Sequence, residues 1–163
     1  MASRVNDDLH VNGRISCDAL SYPPNSLTNN AVASDADLDA EKMQHFHQVT
    51  YGQANAAAVD ETRILHVARN AGVVEEFVAG SIAKAVGAAT CTFDLKKNGT
   101  TILTGVVTLD SGNTNRVVEA GTLVADTTYV AGDVFEVVID GTAGGGTLPT
   151  GVFCCVLFRE DGI

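Results

Sequence analysis

The sequence predicts an all-β protein, a jelly-roll-like antiparallel β-sandwich preceded by an extended N-terminal arm with one short helix. Three observations carry that reading. From Thr62 onward, short apolar runs are separated by clusters of Gly, Asn and Asp, the punctuation of a sandwich of short strands. Strands do not alternate with long helical patterns, which excludes α/β folds. Residues 1–50 are rich in Asn, Asp, Ser and Ala and lack long apolar runs, so they cannot build a core of their own. The expected division is an arm over 1–50, with a helix near 36–47, and a sandwich over 51–163.

In the arm, Val5, Leu9, Val11, Ile15 and Leu20 stand singly, and Tyr22-Pro23-Pro24 favours an extended path that excludes helix at Tyr22. A disordered leader and an arm ordered by lying on another chain are the competing readings; the isolated apolar anchors favour the arm. Leu9, Val11, Ile15, Leu20, Tyr22, Pro23 and Pro24 are then its candidate contacts. Ser34-Asp35 can cap a helix whose first turns carry Asp35, Asp37, Asp39 and Glu41, where the helix dipole favours negative charge. The same three aspartates match the opening of a calcium loop. The match fails at Ala40, where a glycine must turn the chain, and at Phe46, where a bidentate glutamate belongs. His45-Phe46-His47 puts two imidazoles on one face of a strand, with no further donors in sequence to complete a metal shell. Histidines facing solvent or a partner are expected there, and no metal.

The sandwich begins with Thr62–Arg69 and Val74–Lys84, the latter with Gly80 as a bulge or bend. Cys91, Phe93 and Leu95 then alternate with Thr92 and Asp94, so one face is apolar. Asn98-Gly99 tolerates positive φ at both central positions of a type I′ turn, and the chain returns from Thr101 to Leu109. Arg116–Val118 and Leu123–Val130 read as weaker strands. Asp133–Asp140 is strong, with Phe135, Val137 and Ile139 on one face, and a glycine loop over Gly141–Gly151 follows. Val152–Phe158 is apolar at every position, so both its faces must be covered. Val152, Cys154, Val156 and Phe158 are the candidate residues of an oligomer interface.

Composition narrows the function. At 163 residues, 45% of them hydrophobic, the chain is about one domain with enough apolar mass for a core. A net charge of −10 with no basic cluster beyond Lys96-Lys97 argues against nucleic acid. Neither a secretory signal nor a membrane span is expected. Cys17, Cys91, Cys154 and Cys155 lack CxxC spacing; free buried thiols are expected, with Cys154 and Cys155 on opposite strand faces. No nucleophile motif, zinc-protease motif or phosphate loop is present. Gly144-Gly145-Gly146 lacks the Lys and Ser/Thr of a phosphate cradle. Asp110, Asp126, Asp133 and Asp140 fall at strand ends as turn residues, and Asn98-Gly99-Thr100 is a hairpin turn before it is a glycosylation site. No enzyme and no cofactor are expected.

Several segments together carry a resemblance: the Pro-Pro arm, NNAVASDADLDAEKMQH, FDLKKNGTTIL, AGDVFEVVIDGTAGGGTLPTG and VLFRED. In this order the chain resembles head cement or decoration proteins of tailed bacteriophages, and some fibre-type proteins. The resemblance covers most of the chain and rests on its general texture and on the KKNG and AGD…GGGTLPTG segments. It implies a jelly-roll homotrimer on the outer capsid surface of the virion, made in the host cytoplasm, that binds the major capsid protein and clamps neighbouring capsomers. The rival is a fibre-type module that recognises a host receptor or glycan through loops 110–115 and 141–151. That module should show aromatic platforms, for which the sequence offers Tyr22, Tyr51 and Tyr129 and no Trp.

Overall fold

The computed structural model describes residues 45–160, and these form two antiparallel sheets facing each other across one apolar core. The strands are β1 (His45–Gly52), β2 (Glu61–Val67), β3 (Gly72–Ala83), β4 (Thr90–Lys97), β5 (Thr100–Thr101), β6 (Val107–Leu109), β7 (Val118–Ala120), β8 (Thr128–Tyr129), β9 (Val134–Thr142) and β10 (Thr150–Glu160). One sheet runs β1-β10-β3-β7, with β8 also on β3; the other runs β2-β9-β4-β5, with β6 also on β4. The all-β antiparallel expectation therefore holds for the described residues.

Alternation settles the core faces as expected. Cys91, Phe93 and Leu95 of β4 and Phe135, Val137 and Ile139 of β9 are buried together, with Phe93 opposite Ile139 and Leu95 opposite Val137. The turn between β4 and β5 has φ of 51° at Asn98 and 79° at Gly99, the left-handed pair that a two-residue hairpin with this twist requires. Asn98 also donates from Nδ2 to Asp133 (2.7 Å) and accepts from the Val134 amide (2.8 Å), so the turn is tied to the start of β9.

Other expectations shift. The returning strand is broken into β5 and β6, because the chain between them turns off to bond Thr122 and Val124, with Ile102 and Leu103 buried on the way. The Arg116–Val118 strand moves on to Val118–Ala120, and Leu123–Val130 supplies only Thr128–Tyr129 to the sheet. The glycine loop is shorter than expected, since β9 runs on to Thr142 and β10 starts at Thr150. Gly80 is not the bulge. The register shift in β3 lies opposite Leu157 and Phe158 and leaves Glu75 unpaired. Gly80 instead makes room for an aromatic ring, since a Cβ there would lie 2.7 Å from Cζ of Phe153.

At the N-terminal end the sheet begins at His45, before residue 50, and a helix cannot reach His47. β1 pairs with β10 without a break from His45–Glu160 to Gly52–Phe153, and that ladder of backbone bonds outweighs a local cap signal. The rest of the expected helix lies outside the described residues.

Candidate functional site

Two features stand out, an apolar outer surface and a cluster of donors inside one end of the sandwich. The outer surface follows from β10. Val152, Cys154, Val156 and Phe158, expected at an oligomer interface, are instead fully buried in the chain's own core. This corrects the sequence reading by one residue of phase. The outward face is Phe153, Cys155 and Leu157, and the paired registers extend it over Gln48 and Thr50 of β1, Val78 and Gly80 of β3, and Val118 and Ala120 of β7. Ile82 lies beneath Gly151 at one end, and Phe46, 61% exposed, flanks the other. Charge is confined to that second end, where Arg159 Nε meets Glu75 Oε1 at 2.7 Å beside Glu76.

The opposite outer surface is built differently. There the registers place Thr92 beside Asp140, Asp94 beside Val138 and Lys96 beside Glu136. Along β4 and β9 one sheet thus presents mainly polar and charged groups, with Ile64 and Val67 exposed on β2, whereas along β10 and β3 the other presents mainly carbon and sulfur, edged by Gln48, Thr50 and Glu76.

The donor cluster lies where β1, β2 and β10 meet. His47 was expected to face solvent or a partner; it lies instead with its ring stacked on Phe158, centroids 5.1 Å apart and 14° from parallel. His66 reaches the same place from the other sheet, 4.9 Å from His47 and 4.8 Å from Phe158. A bulge puts it there. Ile64 faces outward opposite Glu136, and strict alternation would send His66 outward as well. The register slips at Leu65, so His66 pairs with Phe135 and turns toward the core, as bulges re-aim side chains elsewhere. A nitrogen of each ring and a carboxylate oxygen of Glu160 all lie within 4.8 Å of one another. Nε2 of both rings is buried and has no hydrogen-bond partner among the described residues. Burial holds the His66 imidazole below its ordinary 6.5, the neighbouring His47 adds to this, and Glu160 opposes it. No sequence motif signals the cluster, because its members sit on strands far apart in the chain.

The remaining candidates fall into ordinary roles. Cys154 is buried and Cys155 half-buried on the other face, as expected, and Cys91, Cys154 and Cys155 are free thiols. Burial pushes the Cys91 and Cys154 thiols up to about 12, which leaves both inert as nucleophiles. Asp126 accepts from the Thr128 amide and hydroxyl, Asp133 from the Val130 amide, and Asp110 from the Gly112 amide, so these carboxylates are turn residues. A groove of about 290 Å³ is lined by Tyr51, Gln53, Ala56 and Glu61 among others. Its polar groups already satisfy one another: the Tyr51 hydroxyl donates to Glu61 at 2.5 Å, and Gln53 bonds the backbone of Val59. Leu9, Val11, Ile15, Leu20, Tyr22, Pro23, Pro24 and the three aspartates of the calcium-like run lie outside the described residues, as does Cys17. Among the described residues no helix is long and apolar enough to cross a membrane. No family model matches the chain, and comparison with curated proteins finds no match.

Proposed function

We propose that this chain is a structural protein that decorates and stabilises the capsid of a tailed bacteriophage, as a homotrimer that clamps neighbouring capsomers. The observation that carries the reading is the outer face of the β1-β10-β3-β7 sheet. Burying a side chain such as Phe153, Leu157 or Val78 against another copy is worth about 1.5–3 kcal/mol when complete. The face has no charge at its centre to oppose that burial. A second and third copy of the same chain are its occupants.

The strand order supports the jelly-roll assignment. β1 pairs with β10, β2 with β9 and β3 with β8, each antiparallel, as when one long hairpin is rolled around a core. Residues 1–44, poor in apolar runs, lead directly into β1 at the edge of the apolar sheet and would supply the strap across capsid subunits. Binding the assembled shell in preference to its separated subunits stabilises the shell by mass action. Three arms on one trimer make the later contacts intramolecular.

The test has two arms. Light scattering on the intact chain should give three chain masses; a single chain at micromolar concentration would remove the trimer. Deleting residues 1–44, which leaves β1 whole, should keep the trimer and abolish binding to empty capsids. Full-affinity decoration by the truncated trimer would exclude the arm as the strap. Binding to host glycans with no affinity for capsids would favour the receptor-recognition module instead.

A further inference from the structure

The half-buried histidine pair, whose Nε2 atoms are shut off from solvent, has together with Glu160 the composition of a metal shell. We propose that His47, His66 and Glu160 form a binding site for a divalent transition metal, best matched by zinc, that pins the two sheets together at the end where β1 begins. Two imidazole nitrogens and one carboxylate oxygen are a donor set that zinc takes in proteins, with a fourth position for water or another ligand. The donors lie within 4.8 Å of one another. With bonds of about 2.0–2.1 Å, a tetrahedral ion holds neighbouring donors roughly 3.3 Å apart, so rotation of the rings and the glutamate closes the shell.

Two independent observations point to an occupant. Nε2 of His47 and of His66 are both buried without a hydrogen-bond partner among the described residues, on different sheets, and leaving such a group unsatisfied is costly. The bulge at Leu65 aims His66 inward, where an aromatic core could have been completed by an ordinary apolar residue. Around the site stand Phe135 and Phe158, and Tyr129 lies edge-on to both, so the shell beyond the donors is aromatic and keeps them in place. The donors come from β1, β2 and β10. An ion there links both sheets and fixes the first strand after residue 44.

Zinc binding to the tag-free, full-length chain tests the proposal. Calorimetry should find one ion per chain, and zinc at 100-fold over its dissociation constant should raise the melting temperature by about 10 °C. Cobalt in its place should give the visible bands of a low-coordinate site. Both signals should disappear in His47→Gln and in Glu160→Gln. Imidazole nitrogen resonances of the unmutated chain provide a readout that does not depend on variants folding. Zinc should shift those of His47 and His66 together. Absence of uptake, equal uptake by both folded variants, or shifts confined to His10 and His45 would overturn it.

Discussion

The two sheets share one core, yet the outer face along β4 and β9 differs from that along β10 and β3. In the β2-β9-β4 sheet β4 and β9 alternate in the ordinary way, with Phe93, Phe135 and Val137 inward and Thr92, Asp94, Lys96 and Glu136 outward. In the β1-β10-β3 sheet the inward residues are just as apolar, but Phe153, Cys155, Leu157 and Val78 point out. The difference teaches that the core does not require the second apolar face. Val152, Cys154, Val156 and Phe158 already fill their side completely. The outward apolar set on this central strand, half-buried in the single chain, is hydrophobic surface beyond what the core uses.

Substitutions on adjacent residues of β10 break the comparison most sharply. Phe158 is fully buried and touches His47, His66, Tyr129 and Phe135, so Phe158→Ala should cost about 3–5 kcal/mol in chemical denaturation. Leu157→Asp, one residue away and outward, should leave the denaturation free energy of an isolated chain within about 1 kcal/mol. It should nonetheless reduce the mass in solution to one chain. A trimeric Leu157→Asp protein would mean that the outer face is not the contact.

Gly80→Ala tests how the outer face is packed. The new methyl would press on the Phe153 ring and on the Val117 carbonyl, 3.1 Å away, with an expected loss of about 1–3 kcal/mol by thermal melting. An unchanged melting temperature would show that the ring moves aside readily.

The thiols sharpen the comparison with the smallest effect. Cys91 and Cys154, one inward from each sheet, have folded values raised from 9.0 to about 12 by burial. A raised value means that the folded state holds its proton longer than the unfolded state. The stability they contribute is therefore complete below pH 9.0 and is lost progressively as pH rises toward about 12. At pH 8, in a Cys17→Ser background, a thiol reagent should label Cys155 alone, and the proposed trimer predicts slower labelling than in Leu157→Asp. Rapid labelling of Cys154 in the native protein would contradict its place in the core.

Much of the fold was legible because alternation is a local signal. Cys91-Phe93-Leu95, Phe135-Val137-Ile139, the Asn98-Gly99 turn and the opposite faces of Cys154 and Cys155 all follow from side chains that point alternately up and down. The phase of Val152–Phe158 was not legible. Every residue of that run is apolar, so periodicity cannot say which half faces in. The local capping signal favours a helix running to His47, whereas the ladder that makes His45–His47 a strand is formed with residues at the other end of the chain.

By itself the sequence determined an antiparallel all-β body, its turn chemistry, the residues able to fill a core and the polar leader before it. Only the tertiary structure decided which strands became neighbours, that the outer face of β10 carries the spare apolar surface, and that His47, His66 and Glu160 meet. The physical reason is that side-chain direction along a strand is dictated by backbone geometry within a few residues. Strand partners, and the single slip at Leu65 that turned His66 inward, are chosen by packing across the whole chain.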